Sequence, residues 1–203
     1  MKKKYLIFDF DGVLGDTYEA RNTVMQEMEN KTRDEVILSG DQYFTKSTHT
    51  RAANLSADTL NEMLAWTKKF GERLIKQDFK LFTDFIKEIS KIKNTKLAVV
   101  SSGSIMYIKP KLEKTSLDFS HILTFEDHHS KEEKVEKICK EWNVSVKDIY
   151  FFTDSISDVV ELENLVDRNK IYGCAWGYQG YEKLATVLDG KHILKNYSDI
   201  HGI

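Results

Sequence analysis

Tyr5-Leu6-Ile7-Phe8-Asp9-Phe10-Asp11-Gly12-Val13-Leu14-Gly15-Asp16-Thr17 sets two carboxylates two residues apart, where an apolar run meets a glycine turn. The apolar residues ahead of Asp9 read as a strand covered on both faces. Ionised carboxylates at the end of such a strand carry a desolvation cost that proteins offset with a partner, a metal or a reaction. A strand that simply ends in a polar turn is the plain alternative, and the rest of the chain decides between them.

Four more short apolar runs follow: Leu97 to Val100, Ile122 to Phe125, Ile149 to Phe152 and Lys170 to Trp176. Each has the length of a strand. Helical spacing fills the intervals, as in Phe82, Phe85, Ile86, Ile89 and Ile92, or Val135, Ile138, Cys139 and Trp142. The alternation predicts an α/β fold, a doubly wound parallel five-stranded sheet with helices on both faces.

Asp16 to Lys80 breaks that alternation and reads as a helical insertion. The expected core is therefore residues 1–15 and 81–203, with 16–80 forming a small helical unit after strand one. Val24, Met25 and Met28 form one stripe. Thr32-Arg33-Asp34-Glu35 is a capping box for a short helix that Gly40 is positioned to end, and Leu60, Met63, Leu64, Thr67 and Leu74 mark a longer helix after Ser56. Asp41 to Asn54, with Thr45, Lys46, His49 and Arg51, has no period and suits either a ligand-reading loop or a solvated connection. Pro110, inside the helical run after Ser104, predicts an irregular start or a kink.

A chain of 203 residues holds one full core and a small insertion. Its 30 basic and 32 acidic side chains leave a net charge of −2, which gives no electrostatic footprint for nucleic acid. Lys2-Lys3-Lys4 reads as a solvated lead-in to the first strand. Cys139 and Cys174 sit in apolar patterns as small hydrophobes, which suits a reducing compartment. No apolar run approaches the roughly 20 residues that span a bilayer, and no secretory signal pattern is present, so the expectation is a cytoplasmic protein without membrane partners. Nothing in the pattern reports an oligomeric state.

The polar residues cluster at one end of the strands. Asp9 and Asp11 follow strand one, Ser101-Ser102-Gly103-Ser104 follow strand two, and Thr153-Asp154-Ser155 with Asp158 follow strand four. In a parallel sheet these carboxyl ends share one edge, where ligands bind. Lys131 opens the helix that leads into strand four. Taken singly, these are a turn with a helix N-cap, one solvated lysine among Lys134 and Lys137, and first-turn acids complementing a helix dipole. Taken together they bring carboxylates, a hydroxyl and amide cradle and a cation to one place.

In this order the segments resemble the haloacid dehalogenase-like superfamily of Asp-nucleophile hydrolases, and the resemblance spans most of the chain. Asp9-Phe10-Asp11-Gly12-Val13 is similar to the family's first motif and Val99-Val100-Ser101-Ser102-Gly103 to its second. Lys131 is similar to the third and Thr153-Asp154-Ser155-Ile156-Ser157-Asp158 to the fourth. Lys134 is the alternative third-motif residue; Lys131 stands first, at the helix start after His128-His129-Ser130. Ala175-Trp176-Gly177-Tyr178 is similar to a turn of the phosphoglycolate phosphatase-like branch, whose helical cap occupies the position of the insertion. Thr153 departs from the pattern by standing where the family most often has glycine, which bears on how metal is held.

The resemblance implies a Mg²⁺-dependent phosphatase acting on a small phosphorylated metabolite such as a phosphoglycolate or a sugar phosphate. Asp9 would be the nucleophile that forms an aspartyl-phosphate, and Asp11 the general acid and then base. Ser101, Ser102, Gly103 and Lys131 would hold the phosphate. Asp9, Asp154 and the carbonyl of Asp11 would hold Mg²⁺. Asp158 would support Lys131 or a metal-bound water. Asp11 favours phosphate chemistry over haloalkanoate dehalogenation, which needs no acid. A phosphomutase or other phosphotransferase, or a silent phospholigand-binding protein, are the alternatives on this fold. Arg21, His49, Arg51 and Lys68 are the cap's candidates for a second anionic group.

Overall fold

The computed structural model describes residues 3–46, 50, 51, 53 and 55–203. The opening apolar run forms β1 (Lys4–Phe8), followed by β2 (Gly15–Asp16) and the helices α1 (Tyr18–Glu29), α2 (Arg33–Thr45) and α3 (Ala57–Leu74). The chain continues through β3 (Lys80–Leu81), α4 (Thr83–Ser90), β4 (Thr95–Val100), α5 (Ile105–Leu112), β5 (Phe119–Leu123) and α6 (Lys131–Trp142). It closes with β6 (Ile149–Thr153), α7 (Ile156–Leu162), β7 (Ile171–Cys174), α8 (Gly180–Leu184) and β8 (Ile193–Leu194).

The strands make a parallel sheet in the order β5-β4-β1-β6-β7-β8. From β1 the chain first builds toward β4 and β5, then returns to place β6 on the other side of β1. That reversal opens a crevice at the carboxyl ends of the central strands, the place where open α/β sheets bind ligands. Side chains alternate across the pleat: Leu6 and Phe8 enter the core cluster that holds Phe85 and Ile108, and Ile7 enters the opposite cluster with Val135, Ile138 and Val159. Both faces of β1 are thus dry, as its unbroken apolar run requires.

The five runs become five parallel strands, and a sixth lies at the edge. β8 is two residues long and pairs Gly173 with Ile193 and Cys174 with Leu194, too short to carry a pattern. Among the described residues the insertion holds three helices. The capping box forms as read, with the Thr32 amide donating to Glu35 Oε2 at 2.8 Å. Gly40 does not end this helix, which runs on to Thr45; a Cβ at Gly40 would lie 2.9 Å from Arg21 Nη1, so its bare backbone serves the packing of α2 on α1. The first part of the unpatterned polar stretch is therefore helical. α5 starts regularly, with the Ser104 hydroxyl accepting from the Met106 amide at 3.3 Å, and Pro110 falls in its last turn. At the base of the insertion β2 and β3 pair antiparallel, Gly15 with Leu81 and Asp16 with Lys80. No helix among the described residues is long and apolar enough to cross a membrane.

Candidate active site

Asp9 is the first residue past β1, and its burial would be costly without partners. It has two: its Oδ1 accepts from the Phe10 amide at 2.7 Å and its Oδ2 from Lys131 Nζ at 2.7 Å. Lys131 is the first residue of α6, behind the N-cap Ser130, and is only 2% exposed. Its ammonium also donates to Asp158 Oδ2 at 2.6 Å, and its amide to Glu161 Oε1 at 2.6 Å. Burial disfavours the charge on Lys131, but Asp158 and Asp9 outweigh it and hold the ammonium well above the ordinary lysine range. Burial pushes the Asp9 carboxyl up, with Lys131 opposing.

Lys134 takes a different place. Its Nζ donates to the carbonyls of Ser101 (2.7 Å) and Thr124 (3.3 Å), tying together the chain beyond β4 and β5. Burial and the neighbouring charge of Lys131 push its pKa down to about 7. The lysine that the fold brings to Asp9 is therefore Lys131.

Asp11 is held by both oxygens. Oδ1 accepts from the Thr17 hydroxyl and Oδ2 from the Tyr107 hydroxyl, each at 2.6 Å. The proton that Thr17 gives Asp11 leaves Tyr178, 2.5 Å away, to donate to Thr17 in turn. Burial raises the Asp11 pKa, against these two hydrogen bonds. Neither Thr17 nor Tyr107 was among the expected site residues. Gly103 explains how Tyr107 arrives: a Cβ there would lie 1.9 Å from the Tyr107 hydroxyl, so the glycine makes room for a ring from α5.

Asp154, just past β6, accepts the Tyr178 amide on Oδ2 at 2.6 Å. A Cβ at Gly12, where φ is +72°, would lie 1.8 Å from that oxygen, and one at Gly177 would lie 2.2 Å from Asp154 Cβ. Each residue of the Trp-Gly-Tyr turn thus has a task. Trp176 packs on Phe85 and Tyr197, Gly177 clears Asp154, and Tyr178 anchors both Asp154 and Thr17. Thr153 is bound into the same assembly: its hydroxyl donates to Asp158 Oδ2 at 2.6 Å and accepts the Ser155 amide at 3.0 Å. The branched residue in place of glycine holds the carboxylate that in turn holds Lys131.

The Ser101 hydroxyl accepts the Gly103 amide at 2.9 Å, and Ser101, Ser102 and Gly103 line one cavity with Asp9, Asp11, Lys131, Asp154 and Asp158. This cavity, of about 590 Å³, lies between the sheet edge and the inserted helices. Of the cap's candidate cations, Arg21 lines it, with its guanidinium over the Phe44 ring at 5.1 Å. Arg51 does not: it pairs with Glu132, Glu133 and Glu136 along α6, at 3.5, 3.5 and 2.9 Å. Lys68 stands on the exposed side of α3 and lines no part of the cavity. His49 lies outside the described residues.

The sequence profile of haloacid dehalogenase-like hydrolases matches residues 6–161, and the chain belongs to that family. Solved structures share the fold at low identity. A predicted phosphatase from Clostridium acetobutylicum is 16% identical over 100% of this chain and 98% of that one, with a TM-score of 0.71. A haloacid dehalogenase-like hydrolase from Bacteroides fragilis is 17% identical over 98% and 100%, with a TM-score of 0.70. A predicted phosphoglycolate phosphatase from Haemophilus somnus is 16% identical over 100% and 98%, with a TM-score of 0.67. No curated protein matches.

Members of the family typically require Mg²⁺, and the donors present fit a hard cation. Among the described residues no three His, Cys, Asp or Glu side chains converge as a metal cage. Mg²⁺ asks for less, one or two carboxylates completed by water and substrate oxygens. The Asp154 carboxyl is pushed well above the ordinary range by burial and by the charge of Asp9, and Gly12 and Gly177 leave it the space a Cβ would fill. Glu161 rises to about 7 through burial and the charge of Asp158. Buried carboxylates thus exceed the ammonium groups that face them.

This excess gives a pH dependence. In the unfolded chain these carboxyls titrate near 4. Because their folded pKa values are higher, the folded state binds more protons between about pH 4 and 7, and its stability falls as pH rises through that window. Lys134 acts oppositely above pH 7, where its depressed pKa favours the folded state as pH climbs toward the ordinary lysine value. Cation-free protein is expected to melt at a lower temperature at pH 7 than at pH 5, and Mg²⁺ to raise the melting temperature more at pH 7. Scanning calorimetry at both values, with and without Mg²⁺, checks this; no difference in either direction would contradict it.

Proposed function

We propose that the protein is a Mg²⁺-dependent phosphatase of small phosphate monoesters, working through an aspartyl-phosphate on Asp9. The observation that carries this reading is a division of labour between two carboxylates at one cavity. Asp9 is ion-paired to Lys131, whereas Asp11 is held apart by neutral hydroxyls. The first arrangement favours the ionised form of the attacking carboxylate. The second leaves Asp11 without a direct cation partner while burial raises its pKa, which suits a group that gives and takes a proton once a neighbouring hydroxyl turns from donor to acceptor.

Asp9 attacks phosphorus and the ester oxygen departs with a proton from Asp11. Asp11 then takes a proton from the water that cleaves the acyl-phosphate. Lys131 screens the charge that builds between Asp9 and the phosphoryl oxygens, with Asp158 and Thr153 fixing its position. The Ser101 hydroxyl, oriented by the Gly103 amide, and the Ser102 amide receive phosphoryl oxygens. Asp9, Asp154 and the Asp11 carbonyl are the assigned Mg²⁺ ligands; bound there, Mg²⁺ neutralises phosphate charge so that a carboxylate can approach. We assign residues 1–15 and 81–203 to the catalytic core and 16–80 to a cap, with the β2–β3 pair where the two meet.

The test is phosphate release from an aryl phosphate with and without Mg²⁺, by wild type and Asp9→Asn in parallel. Metal-dependent release confined to the wild type is expected; release that needs neither Mg²⁺ nor Asp9 would overturn the reading. Tyr107→Phe probes Asp11. Acid help matters most for a poor leaving group, so its loss should cost about tenfold or more on an alkyl phosphate and much less on p-nitrophenyl phosphate, as partial loss of a 10²–10⁴-fold effect implies. Equal losses on both substrates would mean that Tyr107 does not act through Asp11.

A further inference from the structure

We infer that the alcohol half of the substrate carries a planar ring that stacks on Trp66. The inference rests on the phosphatase reading, which fixes the phosphate at the sheet edge and turns the leaving alcohol toward the cap. The cap lines the cavity with an apolar group, Met25, Phe44, Met63, Trp66 and Phe70, beside charged residues that include Arg21, Lys46 and Glu62, and Tyr178 lines it from the core. The volume of about 590 Å³ would hold roughly 20 waters at ~30 Å³ each. A two-carbon acid on the phosphate would leave most of that space as water against aromatic walls, which is unfavourable.

Trp66 narrows the class further. One face of its indole stacks on Phe70, with ring centroids 5.3 Å apart and planes 11° from parallel. The Trp66 residue nonetheless stays 43% exposed while Phe70 is buried, although both line the cavity. A rigid ring braced by Phe70, largely exposed and lining the cavity, can serve as a platform for another ring. Arg21, also on this wall, is steadied by the side-chain Oδ1 of Asn22 at 2.9 Å and by the Phe44 face, and offers donors to a polar ring edge. The ligand class is a phosphate monoester of a nucleoside or of a heteroaromatic alcohol.

The test uses four probes: a nucleoside 5′-monophosphate, a pyridinylmethyl phosphate, glycerol phosphate and phosphoglycolate. With wild type, kcat/KM for at least one ring-bearing ester is expected to exceed both ringless esters by about tenfold or more, the share a stacked ring contributes. The better ring ester tells whether a nucleoside or a simple heteroaromatic ring is the source. Trp66→Ala should lower ring-ester kcat/KM by a similar factor and leave glycerol phosphate nearly unchanged, and Trp66→Phe should restore most of the loss. Ringless esters turned over as well as ring esters, or Trp66→Ala lowering both classes equally, would overturn the inference. Calorimetric binding of the same probes to Asp9→Asn separates the two proposals. Tighter, Trp66-dependent binding of ring esters supports the platform even if no ester is hydrolysed, and equal binding of all four overturns it.

Discussion

Asp9→Asn is expected to bring phosphate release down by a factor on the order of 10⁴ to 10⁶, the range seen when the nucleophile of a catalytic assembly is removed. The fold should survive. Asparagine has the same shape and keeps an oxygen for the Phe10 amide; its amide nitrogen no longer accepts from Lys131, which retains Asp158 as its counter-charge at 2.6 Å. The substitution also removes a buried carboxyl whose ionisation burial opposes, so thermal unfolding should show no loss of stability comparable to the loss of activity. Steady-state assays beside a melting curve check both halves. Activity within tenfold of wild type would remove Asp9 as the nucleophile.

Lys131→Met is expected to damage both stability and turnover. The ammonium is buried between two carboxylates, 2.7 Å from Asp9 and 2.6 Å from Asp158. Methionine fills much of the same volume but leaves Asp9 and Asp158 buried side by side without a cation. Breaking a buried pair in this way costs about 3–5 kcal/mol. The sign of its pH dependence follows. A carboxyl left without its cation has a folded pKa above its unfolded one, so the variant should be least impaired near pH 5 and lose stability as pH rises toward 8.

Lys134→Met is the informative contrast, because that ammonium bonds carbonyls rather than carboxylates. Its loss should cost about 1–3 kcal/mol per orphaned group. Relative to wild type, its loss between pH 5 and pH 8 should be smaller than that of Lys131→Met, limited to the stability that the lowered Lys134 pKa adds above pH 7. Denaturant unfolding of both variants at pH 5 and pH 8 makes the comparison; the same profile for the two would mean that Lys131 does not neutralise Asp9 and Asp158.

The central architecture was legible because it rests on short-range pattern. Tyr5 to Phe8 is apolar throughout since both faces of β1 are covered, and the acids follow because a parallel sheet collects its strand ends at one edge. Lys131 was separable from Lys134 by its place at the start of α6. What escaped the sequence depends on contacts between distant segments. Tyr107 reaches Asp11 from 96 residues away, through space that Gly103 vacates, and no local spacing encodes that. Gly40 looked like a helix stop because helices often end on glycine, yet here it admits the Arg21 guanidinium. Arg51 carried the right charge for an anion, but three glutamates of α6 claim it. Thr153, an apparent departure from the family pattern, orients Asp158 with a hydroxyl that glycine lacks.

The most direct test of covalent catalysis is to quench the enzyme with acid during turnover of a phosphate monoester and weigh the peptide that contains Asp9. One added phosphoryl group on Asp9 is expected, present with Mg²⁺ and substrate and absent from Asp9→Asn. Sustained turnover with Asp9 unmodified and phosphate carried on another residue would contradict it.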